Sequence, residues 1–120
     1  MQNGEWIPAF AGMTNTATDE RDGFSVVRAW PETGRLHQIR VHFAAAGHPL
    51  LGDPLYTGAG EVYRKMVAGE STEADRRALG FPRTALHAAA LHFAHPVSGA
   101  ALCIEAPLPS DMANLLDSPR

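Results

Sequence analysis

The chain has 120 residues, 45% of them hydrophobic and 19% charged, with a formal net charge of −3 and a single cysteine. That length suits one domain around one core, a fold of this size burying about two-thirds of its unfolded surface, and no apolar run reaches the roughly 20 residues of a membrane-spanning helix. The first residues lack the basic start and continuous apolar stretch of a secretory signal, and a single cysteine forms no internal disulfide, so the expected compartment is the cytoplasm and no membrane partner is expected. The acidic excess lies in residues 1–32, which carry Arg21 and Arg28 against Glu5, Asp19, Glu20, Asp22 and Glu32, whereas residues 33–120 hold basic and acidic side chains in equal number. A neutral body leaves room for a local basic face and does not exclude a nucleic-acid partner.

Residues 1–22 show neither helical nor strand periodicity, with Trp6 and Phe10 set among Gly, Pro, Thr and Asn, and they read as a loose N-terminal arm. The stretch from Asn3 to Asn15 resembles peptides translated from intergenic repeat DNA; an ordinary arm that docks through Trp6 is the other reading. Residues 24–30 (Phe-Ser-Val-Val-Arg-Ala-Trp) carry β-branched and aromatic residues in partial alternation, which predicts a strand stopped by Pro31. After a turn at Thr33-Gly34, the apolar residues Leu36, Ile39, Phe43 and Ala46 recur at helical spacing, and Gly47 with Pro49 closes the helix. Residues 48–56 form a Pro/Gly-punctuated loop. Residues 57–82 are polar and read as a surface insertion with one short helix from Thr72 to Leu79, capped by Ser71 and ended at Gly80. Two apolar segments, 86–93 and 101–106, flank the hairpin-type turn His95-Pro-Val-Ser-Gly99, and a last turn of helix over 111–116 has Ser110 as its expected cap.

The residue that most needs explaining is Arg40, which lies on or beside the apolar stripe of the predicted helix. An unpaired charge costs several kcal/mol to bury, to an order of magnitude, so an Arg there calls for a carboxylate or phosphate partner, unless it snorkels to water along its stem. The six histidines do not form local chelating pairs: His37 and His42 are about 140° apart around a helix, and His87 and His92 fall on opposite faces of a strand. With those spacings, one cysteine and no HExxH, no metal site is expected, and the absence of GxSxG, Walker and GxGxxG patterns leaves the usual hydrolase and nucleotide-binding routes without support. Cys103, in an apolar alternating stretch, reads as a small buried hydrophobe rather than a reactive thiol.

The run from Thr33 to His42 (Thr-Gly-Arg-Leu-His-Gln-Ile-Arg-Val-His), then Gly47-His-Pro, then Gly52-Asp-Pro-Leu-Tyr56 resembles the long signature of RluA-type RNA pseudouridine synthases. A second block follows the end of that family's catalytic domain in the same order: Leu86-His-Ala88, His95-Pro, Ala106-Pro-Leu-Pro109 and Asp111-Met112. The resemblance covers residues 23–120 apart from 57–82. It implies an α+β fold, the C-terminal part of the pseudouridine synthase catalytic domain, with a mixed or antiparallel sheet and one main helix. It also implies conversion of uridine to pseudouridine in rRNA or tRNA, with no cofactor. By the same resemblance Arg40 pairs with a nucleophilic aspartate, and Leu86 walls the target base, although a plain core leucine is an equal reading. Arg35 and His37 are candidates to meet RNA phosphates, with capping or packing as the alternative.

The family's aspartate belongs to an Arg-Leu-Asp-x-x-Thr-Ser-Gly motif well upstream of this signature, and that motif is absent from the 33 residues before Gly34. Asp22 lacks the flanking pattern, and Asp53, in its Gly-Asp-Pro loop, reads as structural. The expectation is therefore a truncated synthase, inactive alone, in which Arg40, its intended partner missing, turns to solvent, borrows another carboxylate such as Asp53 or stays poorly paired, so that replacing it is nearly harmless. A non-catalytic RNA-binding remnant and a subunit of a split enzyme, completed by a separate chain bearing the aspartate, are the other classes.

Overall fold

The computed structural model describes residues 13–20, for which only the backbone is placed, and residues 23–117. The expected arm at 1–12 and 21–22 lies outside the described residues. Two compact units divide the chain, the first running to Ala85 and the second beginning at Leu86. The class is α+β, with helices of six to eight residues and two separate two-stranded antiparallel sheets.

In the first unit, strand β1 (Met13–Glu20) pairs antiparallel with β2 (Ser25–Pro31), from Glu20 opposite Ser25 to Asn15 opposite Trp30, with an irregularity between Asn15 and Met13, which pairs with Pro31. The expected strand is β2, and it takes in Pro31, which the sequence reading placed just past the end; a proline is tolerated at the end of a two-stranded ribbon. Strand β1 was not anticipated. Its β-branched residues are threonines at 14, 16 and 18, which favour extended backbone without giving the apolar alternation by which a strand is recognised.

Helix α1 (Gln38–Ala45) begins two residues later than the apolar spacing suggests. His37 sits in the left-handed region at φ 52°, so Leu36 belongs to the preceding turn and is 86% exposed. Gln38 organises this entry: its Oε1 accepts from Thr33 Oγ1 at 2.7 Å and from the Arg35 N–H at 3.0 Å, while its own N–H donates to the Arg35 carbonyl at 3.1 Å. At the other end Gly47, at φ 85°, donates to the Ala44 carbonyl and His48 donates to that of Phe43, the two bonds of a Schellman stop.

The following loop is fastened to the segment 79–85 by the Gly52 N–H on the Leu79 carbonyl and the Ala85 N–H on the Leu51 carbonyl, both 2.8 Å. Phe43 and Leu79 are buried hydrophobic residues of this unit. The stretch 57–82 is thus more than a surface insertion, since Leu79 is part of the core. It holds a 3-10 turn (Gly58–Gly60), helix α2 (Glu61–Ala68), which the sequence reading missed, and α3 (Glu73–Ala78). Helix α3 is capped by Thr72 rather than Ser71: the Thr72 hydroxyl accepts from the Asp75 N–H, and the Asp75 side chain accepts from the Thr72 N–H. With α1 and α2 equal at eight residues, no one helix dominates, contrary to the single main helix expected.

In the second unit, β3 (Ala90–Ala94) and β4 (Ala101–Glu105) form the expected hairpin, with Leu91 opposite Ile104 and His92 opposite Cys103. His95 builds the turn, its Nδ1 accepting from the N–H groups of Val97 and Ser98. Helix α4 (Ser110–Leu116) follows; Pro109 holds the cap position and Ser110 is already helical, so Ser110 is not the cap. Every residue of β3 is exposed, as is Cys103, which corrects the reading of Cys103 as buried. Alternation places side chains on two faces of a strand but does not say that either face is covered, and among the described residues no third strand joins this hairpin.

Two glycine substitutions separate backbone strain from close approach. At Gly47 a Cβ meets nothing within 4 Å, so Gly47→Ala is expected to cost only the left-handed penalty, about 1–2 kcal/mol. At Gly52, φ 79°, a Cβ would lie 1.9 Å from the Arg83 carbonyl oxygen, so Gly52→Ala must part the loop from the 79–85 segment. Chemical denaturation should rank Gly52→Ala as clearly more destabilising than Gly47→Ala; equal losses would contradict the described contact.

Candidate functional site

The site grows from a turn that the Asp53-Pro-Leu-Tyr56 sequence makes on itself. Asp53 Oδ1 accepts from the backbone N–H groups of Leu55 at 3.0 Å and Tyr56 at 3.3 Å, the local turn that Asp side chains favour. This leaves the carboxylate facing α1, where Arg40 meets it in a two-pronged pair: Nε donates to Oδ2 and Nη2 to Oδ1, both at 2.8 Å. Asp53 is fully buried, while the Arg40 side chain keeps 20% of its surface exposed. The planar fork of a guanidinium matches a carboxylate in this way, and an ammonium would not.

Burial pushes the Asp53 carboxyl upward, but the bonds from Arg40 and from the Tyr56 and Leu55 N–H groups outweigh it and hold the group below its ordinary value. The Arg40 guanidinium is raised above its ordinary value, chiefly by its hydrogen bond to Asp53, against an opposing effect of burial. Both groups are charged at neutral pH. An anionic carboxylate already accepting four N–H bonds is an anchor, not a nucleophile, in line with the structural reading of Asp53.

Tyr56 ties this pair to the start of the helix. Its ring lies under Arg40, with Cζ 5.1 Å from the ring centroid, a cation–π distance. Its hydroxyl is 2.9 Å from His37 Nδ1, and the two rings stand edge to face at 5.7 Å. Asp53, Arg40, Tyr56 and His37 thus form one continuous polar cluster between α1 and the loop after it.

Of the residues singled out from the sequence, this brings Arg40 and His37 together through Tyr56. Arg35 is exposed at the turn before α1, where its backbone N–H and carbonyl bond to Gln38. Leu86 opens the second unit and is 41% exposed, so it is not a buried leucine. Tyr56 and Gln38 were not anticipated as site residues. The Asp-x-x-Tyr spacing was the available signal for Tyr56, because an Asp accepting from N–H groups two and three residues ahead fixes that tyrosine beside it. Of the outcomes expected for Arg40, the structure shows the pair with Asp53, and because a fully buried carboxylate depends on it, replacing Arg40 is expected to be costly rather than nearly harmless. Among the described residues no group of three or more His, Cys, Asp or Glu side chains is placed to hold a metal ion, and no helix is long and apolar enough to cross a membrane.

No family model matches the chain. Individual proteins do. The chain is 46% identical over 89 residues to ribosomal large subunit pseudouridine synthase D of Xanthomonas campestris, a match that takes in 74% of the chain and 26% of that protein. The chain is a homologue of part of these synthases. The synthases of the same name from Vibrio parahaemolyticus and Vibrio cholerae are 44% and 50% identical over 94 and 84 residues, covering 78% and 70% of the chain. In each case the chain spans about a quarter of the synthase's length.

Removing one member of a buried, hydrogen-bonded ion pair costs about 3–5 kcal/mol. Arg40→Met is expected to fall near the low end, about 3 kcal/mol, because the Arg keeps some contact with water. Denaturant unfolding of the purified chain checks this. The acid limb gives a second test. The folded carboxyl of Asp53 titrates below its unfolded value of about 3.9, so its contribution is complete above that pH and is lost as the pH falls through the folded value. Stability should therefore drop on acidification below about pH 4, and Asp53→Asn should start less stable but show a shallower drop.

Proposed function

We propose that the chain is the arginine-bearing part of an RNA pseudouridine synthase site, acting on uridine in ribosomal RNA when a segment bearing the nucleophilic aspartate completes it, and inactive alone. The observation that carries this reading is the identity of 46% over 89 residues to a ribosomal large subunit pseudouridine synthase. The geometry supports a definite role for Arg40. A guanidinium has five N–H donors, and Asp53 engages Nε and one donor of Nη2, so the group has further donors in the same plane for a second carboxylate. In this reading Asp53 and the Tyr56 ring fix the plane of the fork, and the fork in turn orients the incoming aspartate.

The aspartate attacks the nucleoside, the uracil detaches, turns and is rejoined through carbon 5, with no atom gained or lost overall. Pre-positioning of the nucleophile is the part of this chemistry to which Arg40 contributes, and misplacement by about 1 Å costs on the order of 100-fold in rate. Leu86, exposed at the start of the second unit, is the apolar wall for the flipped base. Arg35 and His37, at the turn into α1, meet the RNA backbone.

The test is pseudouridine formation in large-subunit ribosomal RNA, measured for the purified chain alone and for the chain reconstituted with a relative's segment carrying the Arg-Leu-Asp-x-x-Thr-Ser-Gly motif. No product is expected from the chain alone, because the Arg-Leu-Asp-x-x-Thr-Ser-Gly motif is not among its 120 residues. Product is expected from the reconstitution, and Arg40→Lys, which keeps the charge but not the fork, should lower it by about 100-fold. Turnover by the chain alone, or an unaffected Arg40→Lys reconstitution, would contradict the proposal.

A further inference from the structure

Outside the Arg40 cluster, one pair of chemically capable side chains lies in the second unit. His92 and Cys103 are directly opposite each other in the β3–β4 hairpin, and the Cys103 Sγ is 3.6 Å from His92 Nε2. Both are exposed. A weak S–H donor in water gains little from a bond to imidazole, so that contact gives the pair no evident structural purpose. Its geometry matches something else. Zinc binds thiolate sulfur at about 2.3 Å and imidazole nitrogen at about 2.0–2.1 Å, and at a tetrahedral angle those lengths set sulfur and nitrogen about 3.6 Å apart.

We propose that His92 and Cys103 form half of a tetrahedral zinc site, completed by the same two residues of a second copy of the chain. Two ligands leave two positions open, and among the described residues no third His, Cys, Asp or Glu joins them. A second copy related by a two-fold axis through the metal supplies the missing imidazole and thiolate, giving the Cys₂His₂ set common in structural zinc sites. The surrounding face suits this approach. By alternation and register it also carries Ala90, Ala94 and Ala101, whose small side chains leave room beside the pair for a second hairpin, with Glu105 as the charged residue at its far end. The expectation of no metal rested on histidine spacing within single segments, the single cysteine and the absence of HExxH, and did not weigh a pair across two strands completed by a second copy. On binding, the Cys103 S–H proton leaves to solvent and the metal keeps its oxidation state. Neither residue takes part in the proposed RNA chemistry, so this site stands or falls separately.

The test uses the full chain under a phosphine reductant, titrated with Zn(II) and, as a spectroscopic probe, Co(II), with mass followed by analytical ultracentrifugation. The expected result is one metal per two chains, the intense visible bands of tetrahedral thiolate-bound cobalt, and a doubled mass that returns to monomer on adding a chelator. Cys103→Ser and His92→Gln should each abolish the bands and the mass change, with far-ultraviolet circular dichroism unchanged to show that the fold is kept; Leu91→Ser, on the opposite face, should leave both in place. No metal uptake, or a dimer indifferent to the chelator, would overturn the proposal. So would one metal per monomer, particularly if Glu105→Gln removed it, since the third ligand would then come from within the chain.

Discussion

A buried carboxylate sets the terms for the first unit. Asp53 is fully withdrawn from water and stays charged, which is tolerable only because four N–H bonds meet it, two from Arg40 and two from the backbone just ahead. Those bonds fix the path of the loop after α1 and the direction of the Arg40 fork. The same loop is joined on its other side to the 79–85 segment through Gly52 and Leu51. Local geometry then follows: Gly52 leaves no room for a side chain, Tyr56 is delivered beneath Arg40, and His37 closes on the tyrosine hydroxyl.

The parts of this arrangement that were legible in the sequence are those in which one residue type has one physical reason to be there. Gly47 and the apolar spacing before it marked the end of α1, because only a left-handed residue closes a helix in that way. Arg40 announced a partner, because charge on an apolar face is otherwise costly. Asp53 could be named as a carboxylate for Arg40 to borrow, but the sequence did not decide between that pairing, a turn to solvent and poor pairing. Asp53 is 13 residues further on, across a loop whose path depends on contacts with 79–85. The start of α1 was misjudged for a related reason: Gln38, polar and buried, gathers the turn at Thr33 and Arg35, and that overrides the apolar pattern that placed Leu36 inside.

Elsewhere the missing information was of other kinds. Strand β1 is threonine-rich and shows no apolar rhythm. Helix α2 lies in a polar stretch whose short apolar stripe, Val62, Tyr63, Met66 and Val67, was overlooked among the charges; Tyr63, Met66 and Val67 are exposed in this unit. Cys103 shows the limit of alternation most plainly. Its alternating stretch suggested a buried position, whereas in the hairpin it lies opposite His92 on an open face. What the sequence described as a core position is, in the hairpin, an exposed thiol 3.6 Å from His92 Nε2.

In the proposed reading, where Arg40 orients the nucleophile of a synthase site, the buried pair gives a reason for the arginine to be held so firmly. An arginine meant to orient a reacting group has to be immobile before that group arrives, and a buried anion behind it provides this. The central claim is thus an energetic coupling between Arg40 and Asp53, and the most direct measurement is a double-mutant cycle with Arg40→Met, Asp53→Asn and the pair, each followed by denaturant unfolding. The account predicts a coupling of about 2–3 kcal/mol, in the range for residues sharing one ion-pair network, with the double variant less damaged than the two single losses added together. Additive losses, with a coupling within about 0.5 kcal/mol of zero, would show that the two side chains do not depend on each other and would contradict it.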